Sequence, residues 1–243
     1  MDLGSVIVDT FTTFGKKWKE YIFATLLFGV LPYMFMAILV VPTAVWMEAD
    51  IVALGEEPAV SAVLTVMTPF FVALGIGGAV VSVFSLLLVL TCIHLAHKKK
   101  TWKQAFAVAR GQFWSAVWLC VLTALLLIPL FMLFIIPGIV FSIYWMLSFV
   151  FLAVEGKTGY AALRASKKRI EGHWFRALGY YLVMILLVFS VSIIVQLPSG
   201  IMAGILSLFM PIIGGLLGEI VSGVMQSLTA MFLVIFLYVY YRS

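Results

Sequence analysis

Long apolar runs dominate the chain, and short polar stretches separate them. The long runs do not alternate apolar and polar residues with the period of two that a membrane β-strand requires. Runs of about 20 apolar residues fit helices that cross a bilayer, where only helices and closed barrels satisfy the backbone hydrogen bonds. The pattern predicts an all-α, polytopic membrane protein with six spans, at about residues 21–46, 66–95, 115–137, 139–154, 176–198 and 211–240.

A short amphipathic stretch with tryptophan at its end precedes the first, third and fifth spans. Such stretches are typical of helices that lie in the headgroup layer with their apolar face towards the hydrocarbon. Tryptophan is enriched at the membrane–water interface. We therefore expect three interfacial helices on the cytoplasmic side, anchored by Trp18, Trp114 and Trp174.

The tryptophans and the prolines that follow them indicate an internal repeat. Trp18 and Pro42 are 24 residues apart, Trp114 and Pro137 are 23 apart, and Trp174 and Pro198 are 24 apart. In a helix each interval covers about 35 Å, which is enough to cross a bilayer with modest tilt. The proline-containing segments 135–138 and 196–200 are predicted to be outer turns. We expect one membrane domain over 1–243 with three units of interfacial helix and hairpin, at about 1–97, 101–155 and 158–243.

Composition and charge exclude a soluble globule and orient the predicted spans. Hydrophobic residues make up 65% of the chain and charged residues 10%, against about a quarter charged in soluble domains. All 15 lysines and arginines fall on one side of the six spans, whereas the longest opposite loop is acidic, with Glu48, Asp50, Glu56 and Glu57. The positive-inside rule then predicts that both termini are cytoplasmic.

The net charge of +5 favours a membrane surface over nucleic acid, because the basic residues cluster beside spans and tryptophans. No nucleic-acid-binding motif accompanies them. Anionic lipid headgroups are the predicted partners. The residues expected to contact them are Lys98, Lys99, Lys100, Arg164, Lys167, Lys168 and Arg169.

A motif near the fifth span resembles that of a known prokaryotic superfamily. It comprises Glu155, Ala161-Ala162-Leu163, Ser166, Gly172, Trp174 and Leu178-Gly179. The pattern is similar to the membrane domain fused to membrane-type glycerophosphodiester phosphodiesterases, and to related six-span inner-membrane proteins. The resemblance, strongest over about 139–182, implies a six-helix protein of a bacterial or archaeal inner membrane. The 243 residues leave no room for the soluble phosphodiesterase barrel, so we do not expect its hydrolase activity.

The motif residues themselves favour structural roles. Glu155, with Lys157 nearby, is predicted to form an ion pair that holds the interfacial helix against the fourth span. Ser166 is predicted to pack between helices, because the motif offers no histidine that would activate a nucleophile. Gly172 and Trp174 complete this predicted structural set.

Glu219 is the acidic residue placed well inside a predicted span, and it is therefore a candidate site. Ionisable groups in lipid usually face a bundle interior or a water-filled cavity. The alternative is that Glu219 reaches water at the outer interface. The neighbouring glycines, at 214, 215 and 218, favour close helix packing, and helices broken at Met210-Pro211 or Thr68-Pro69 are the alternative interpretation.

Other residues suggest little chemistry. His94, His97 and His173 with Glu155 form a conceivable metal set, but histidines beside lysines also contact headgroups, and we predict no metal and no cofactor. Cys92 and Cys120 are expected to be small apolar residues within spans. The sequence lacks the signatures HExxH and GxSxG and paired intramembrane carboxylates, so an enzyme is not expected.

Two functions remain open from the sequence. The first is a carrier or lipid-binding bundle that handles lipid or a small solute within the bilayer, favoured by the glycine-interrupted spans and Glu219. The second is a non-catalytic scaffold or accessory subunit that binds another membrane protein or itself. The scarcity of buried polar groups favours the second, because a path for hydrophilic solutes needs more of them.

Overall fold

Helices account for all the regular structure in the described part of the chain. The computed structural model describes residues 3–54, 60–98 and 101–243, with the side chains at 98, 191 and 195 outside this description. The helices are α1 Leu3–Gly15, α2 Trp18–Thr25, α3 Leu31–Ala53, α4 Val60–Lys98, α5 Trp102–Gly111, α6 Phe113–Leu133, α7 Ile135–Trp145, α8 Ser148–Glu155, α9 Gly159–Ile170, α10 Trp174–Phe209 and α11 Pro211–Arg242. A π-helical turn, Leu26–Val30, joins α2 to α3.

Within the described residues, six helical segments are long and apolar enough to cross a membrane, as the sequence predicts. They are Trp18–Ala53, Val60–His97, Phe113–Leu133, Ile135–Glu155, Trp174–Phe209 and Pro211–Arg242. The all-α class and the six segments of spanning length are confirmed. Short helices α1, α5 and α9 occupy the predicted amphipathic stretches, while their interfacial position and the three-hairpin arrangement stay predictions.

The outer turn predicted at 196–200 is wrong. Pro42 lies inside α3, and Pro198 lies inside α10. The turn expected at 196–200 is therefore helical, and α10 ends only at Phe209. Helix α4 also passes through Pro69, so the break considered at Thr68-Pro69 is wrong. Long apolar helices tolerate proline because local adjustments and nearby side chains satisfy the backbone groups that it frees.

The turn predicted at 135–138 is displaced by a few residues. Phe134, with an extended backbone, separates α6 from α7, and Pro137 lies in the first turn of α7. Proline is favoured there because its fixed φ suits a helix start and its missing N–H needs no partner. In the predicted acidic loop, Glu48 and Asp50 belong to α3, whereas Glu56 and Glu57 lie outside the described residues.

The chain divides into two compact units. Unit 1 comprises residues 1–24, 86–190 and 229–243, and unit 2 comprises 25–85 and 191–228. Helices α4, α10 and α11 contribute a segment to each. In unit 1, α6 packs against α7, α8 and α9, and α9 also contacts α7 and α8.

Large apolar side chains fill the centre of unit 1. Those that are almost completely buried include Leu90, Ile93, Leu95, Leu119, Leu147, Leu152, Leu163, Ile170, Met231, Ile235 and Phe236. The buried side chains of unit 2 include Phe28 and Met225, together with small ones such as Ala37 of α3 and Ala73 of α4. In lipid the hydrophobic effect does not drive helices together, so small residues favour association by letting the helix backbones approach closely.

Candidate functional site

A cavity of about 380 Å³ lies between α10 and α11 in unit 2. Its lining consists of small residues and polar side chains, namely Gln196, Ser199, Gly200, Ala203, Gly204, Ser207, Gly214, Gly215, Gly218 and Ser222. We call it the α10–α11 cavity. It combines hydroxyl groups, an amide and glycine backbone in a segment whose neighbours along the chain are almost all apolar.

Glycines create this cavity by two opposite means. At Gly214, an added Cβ would meet the Ser207 backbone, so the absence of a side chain lets the ends of α10 and α11 touch. At Gly200 and Gly204, an added Cβ would have no neighbour within 4 Å. These positions on α10 therefore leave open space, because nothing fills the volume that a larger residue would occupy.

Two polar side chains of the cavity, Ser207 and Gln196, have remaining hydrogen-bonding capacity. The Ser207 hydroxyl donates to the Gly204 carbonyl at 2.7 Å, and a hydroxyl that donates once keeps acceptor capacity. Gln196 is exposed and can both donate and accept. The described lining carries no charged side chain. The arrangement suits a neutral, hydrogen-bonding part of a ligand.

Glu219, the predicted intramembrane site, does not line this cavity. It is half-buried on α11. The residues one turn away on either side meet α3, because an added Cβ at Gly215 would lie 2.7 Å from Val41 Cγ1 and one at Gly223 would collide with Tyr33. Glu219 therefore lies on α11 between two glycines that pack against α3.

No protein-family model, curated protein or solved structure matches the chain. The resemblance to the phosphodiesterase-associated membrane domain therefore stays a prediction.

Ser166 of the motif lies fully buried in unit 1, at the break between α7 and α8. Its hydroxyl donates to the Tyr144 carbonyl at 2.6 Å and accepts from the Leu147 N–H at 3.2 Å. Tyr144 lies in the last turn of α7, and Leu147 lies between α7 and α8. One side chain of α9 thus satisfies two backbone groups that the break leaves without helical partners.

Glu155 ends α8 and joins two further elements. Its carboxylate lies 2.7 Å from the Lys157 ammonium and accepts a 2.7 Å hydrogen bond from the Tyr241 hydroxyl of α11. The Tyr241 ring also meets Phe151 edge-on, with centroids 5.1 Å apart. The ion pair predicted with Lys157 is present, and the additional contact is with α11 rather than with α9.

Gly172 and Trp174 shape the turn that leads from α9 into α10. Gly172 has a φ of 84°, in the left-handed region that L-residues rarely adopt. The Trp174 indole N–H donates to the Val140 carbonyl at 3.2 Å. That donor is therefore used inside the protein, whereas Trp18 and Trp114 are exposed, as interfacial anchors would be.

Gly172→Ala is expected to lower the free energy of unfolding by about 1–2 kcal/mol, the cost of a left-handed conformation for an L-residue. No atom lies within 4 Å of the added methyl group, so the loss would come from the backbone alone. Thermal unfolding in detergent measures it. Gly179→Ala is the matched control: that site in α10 is equally open, and alanine there should be neutral or stabilising by up to about 1 kcal/mol. Equal losses in both variants would contradict the explanation.

The predicted basic residues divide by environment. Arg164 and Lys168 are exposed on α9. The Lys167 ammonium lies over the Phe141 and Tyr144 rings, at 5.9 and 5.8 Å from their centroids. Arg169 donates to the Tyr241 carbonyl at 3.2 Å. Lys98 ends α4, and Lys99 and Lys100 lie outside the described residues.

The histidines are engaged separately. His94 contacts the Gln112 side chain at 3.0 Å, and His97 contacts the Tyr238 hydroxyl at 3.3 Å. Within residues 3–54, 60–98 and 101–243, no group of three or more histidine, cysteine or acidic residues is placed to hold a metal ion. Cys92 is buried as expected, whereas Cys120 is exposed on α6.

Sequence reasoning missed the cavity residues because Gln196 and Ser199 were assigned to a turn. Had α10 been extended through Pro198, the small and polar residues at 196, 199, 203 and 207 would have aligned on one face, at steps of three and four. Tyr241 and Gln226 were also missed. Their partners lie 86 and 193 residues away, and no local pattern marks them.

Proposed function

We propose that this chain is a multi-pass membrane protein that binds a lipid or a small solute, and that the α10–α11 cavity holds the ligand. The observation that carries the proposal is the cavity itself. Its volume of about 380 Å³ falls within the range of about 300–1,000 Å³ typical of ligand pockets. Polar side chains are costly in lipid and usually serve packing or function.

The lining favours a ligand with a neutral polar part and an apolar chain. Serine hydroxyls and the Gln196 amide can bind ester, hydroxyl or amide groups, and the described lining offers no charge for an ionic headgroup. Large apolar side chains of α10 beside the cavity are exposed, including Leu197, Ile201 and Leu208. An acyl chain would find apolar contacts there.

The proposed setting is the inner membrane of a bacterium or archaeon, with both termini cytoplasmic. The one-sided distribution of lysine and arginine supports this orientation. In this setting α1, α5 and α9 lie at the cytoplasmic interface, and each precedes a long helix that begins with Trp18, Phe113-Trp114 or Trp174. Anionic headgroups are then the natural counterions of the exposed basic residues.

The proposal includes no catalytic step. Ser166 supports this, because its hydroxyl is engaged as donor and acceptor by backbone groups rather than by a general base. Glu155 likewise has Lys157 and Tyr241 as partners.

Filling the cavity tests the proposal. Gly204→Leu places an isobutyl group where no atom lies within 4 Å of the added Cβ. We expect this variant to fold and to lose most of the lipid that the wild-type protein retains in mild detergent, as measured by native mass spectrometry. Transbilayer movement of a fluorescent lipid in vesicles of phosphatidylethanolamine and phosphatidylglycerol would report carrier activity, and we expect the same variant to reduce it.

Gly75→Leu is the control, because Gly75 of α4 is equally open but lies outside the cavity lining. It should retain lipid and activity. If Gly204→Leu keeps the same bound lipid and the same lipid movement as Gly75→Leu, the cavity is not the ligand site.

A second function is supported by the same face of α10. Gly200 and Gly204 form a GxxxG spacing, and both are exposed. GxxxG surfaces let a second transmembrane helix approach closely. A scaffold or accessory subunit would present this surface to a partner helix. The mass of the purified complex distinguishes the two functions. If α10 binds a partner or a second copy, Gly204→Leu should lose that protein; if the cavity binds a ligand, the variant should lose the ligand and keep its oligomeric state.

A further inference from the structure

A second cavity, of about 150 Å³, lies in unit 1 where α9, α10 and the end of α11 meet. Its lining is basic and aromatic, with Arg169, His173, Arg176, Tyr180, Tyr240 and Ser243. We call it the arginine pocket. The Tyr180 and Tyr240 rings meet edge-on with centroids 6.0 Å apart. It contains two guanidinium groups, an imidazole and three hydroxyl groups, so hydrogen-bond donors dominate it.

The two arginines lack acidic partners in the part of the chain that the structure describes. There, the ion pair within 4 Å is the one between Lys157 and Glu155. Arg169 is oriented by its bond to the Tyr241 carbonyl, which uses one of its five N–H donors. Arg176 is exposed in the first turn of α10. The remaining donors can serve an external anion.

The position of Arg176 makes the pocket unusual. A cation in the first turn of a helix opposes the helix dipole, whose positive end lies there. The first backbone bond of α10 runs from the Ala177 N–H to the His173 carbonyl, so the N–H groups of the first turn have no partner within the helix. Two arginines and a helix start thus concentrate positive potential at one place, which a bound anion would offset.

We propose that the arginine pocket binds a phosphate group. Paired guanidinium groups match the several oxygens of phosphate, to which each can bind in a bidentate manner. The volume of about 150 Å³ is smaller than that of pockets for drug-sized ligands, which begin at about 300 Å³. The pocket can therefore hold the phosphate group but not a whole lipid. The phosphate can belong to a phospholipid headgroup or to free phosphate. This inference goes beyond the proposed function and does not require the α10–α11 cavity.

The test compares two double variants of the full-length protein with the same change in net charge. Arg169→Gln with Arg176→Gln removes the pocket cations. Arg164→Gln with Lys168→Gln removes two exposed cations of α9 outside the pocket lining. One arm titrates inorganic phosphate into protein in neutral detergent. The other measures binding of phosphatidylglycerol, against phosphatidylcholine, in nanodiscs of defined composition.

We expect the pocket variant to bind inorganic phosphate at least about tenfold more weakly, as the loss of a charge-assisted hydrogen bond predicts, while the control changes phosphate binding by less than about twofold. In the lipid arm the pocket variant should lose more affinity than the control, whose exposed residues contact headgroups one at a time. If the pocket variant binds both inorganic phosphate and phosphatidylglycerol more weakly, the pocket is a general phosphate site. If only phosphatidylglycerol binding is weakened, the phosphate belongs to the lipid headgroup. Equal weakening by the two double variants, or no weakening by the pocket variant, overturns the inference. Arg169→Lys with Arg176→Lys keeps the charge and guards against misfolding; it should bind more weakly than wild type and more tightly than the glutamine variant.

The test of the arginine pocket is independent of the test of the α10–α11 cavity. Gly204→Leu leaves the arginine pocket unchanged, because Gly204 is not among its lining residues. It should therefore bind inorganic phosphate like the wild type, even if lipid retention is lost.

Discussion

Gly223→Ala is expected to lower the free energy of unfolding by about 1–3 kcal/mol, the usual cost of inserting a methyl group into a packed contact. The added Cβ would collide with Cβ and Cγ of Tyr33, close to the α3 backbone, where no flexible chain end can yield. Helix α3 would have to move away from α11. The same movement would weaken the 2.8 Å bond from the Tyr33 hydroxyl to the Gln226 side chain.

Unfolding in a mixture of mild detergent and SDS, followed by tryptophan fluorescence, measures this loss. Gly78→Ala of α4 is the control, because its added methyl group has no neighbour within 4 Å and alanine has the higher helix propensity. The cost of Gly223→Ala should be smaller in a Tyr33→Gly background than in the wild type, because that change removes the Cβ that the added methyl group would meet. A Gly223→Ala protein as stable as the Gly78→Ala protein would mean that the two helices do not approach as described.

Ser166→Ala is expected to destabilise unit 1 by about 1–3 kcal/mol, because it leaves buried backbone groups unsatisfied. The Tyr144 carbonyl and the Leu147 N–H would both lose their side-chain partner. The effect should be larger than that of an ordinary serine, since one hydroxyl serves two groups at a helix break. Hydrogen exchange of the Leu147 amide should accelerate in the variant, which is a local signature that a general loss of stability would not give.

Ser190→Ala is the matched control. Its hydroxyl bonds to the Leu186 carbonyl of its own helix and is exposed, so the change should cost less than about 0.5 kcal/mol. Ser166→Thr keeps the hydroxyl and should retain more stability than Ser166→Ala if the extra methyl group is accommodated. If Ser190→Ala and Ser166→Ala lower the free energy of unfolding equally, Ser166 has no special role at the helix break.

Glu219 shows how far a local rule can predict a site. The rule that an ionisable residue within a span is a functional candidate singles it out. It could not say which helix face carries the cavity, because that depends on the neighbours of α11. Gly218 and Ser222 of α11 line the cavity, Gly215 both lines it and meets α3, and Gly223 meets α3. Glu219 is absent from the cavity lining.

At the prolines, a local rule predicted a helix end that the structure does not have. Proline ends helices in water, so the segment around Pro198 is predicted to be a turn, and Pro42 marks the corresponding position in the first unit of the repeat. In long apolar segments the alternatives to helix are worse, since an unsatisfied backbone group in lipid costs several kcal/mol. The helices therefore continue through both residues. This extension is what places Ser199, Gly204 and Ser207 on a helix face.

The sequence by itself determined the class of this protein: an all-helical chain with six segments long and apolar enough to cross a bilayer. The physical reason is that backbone hydrogen bonding in lipid leaves few choices, and segment length and hydropathy report them directly. Only the tertiary structure decided the α10–α11 cavity, the arginine pocket and the role of Ser166. Each depends on which side chains meet after folding, and those contacts join residues far apart in the sequence, which hydropathy does not record.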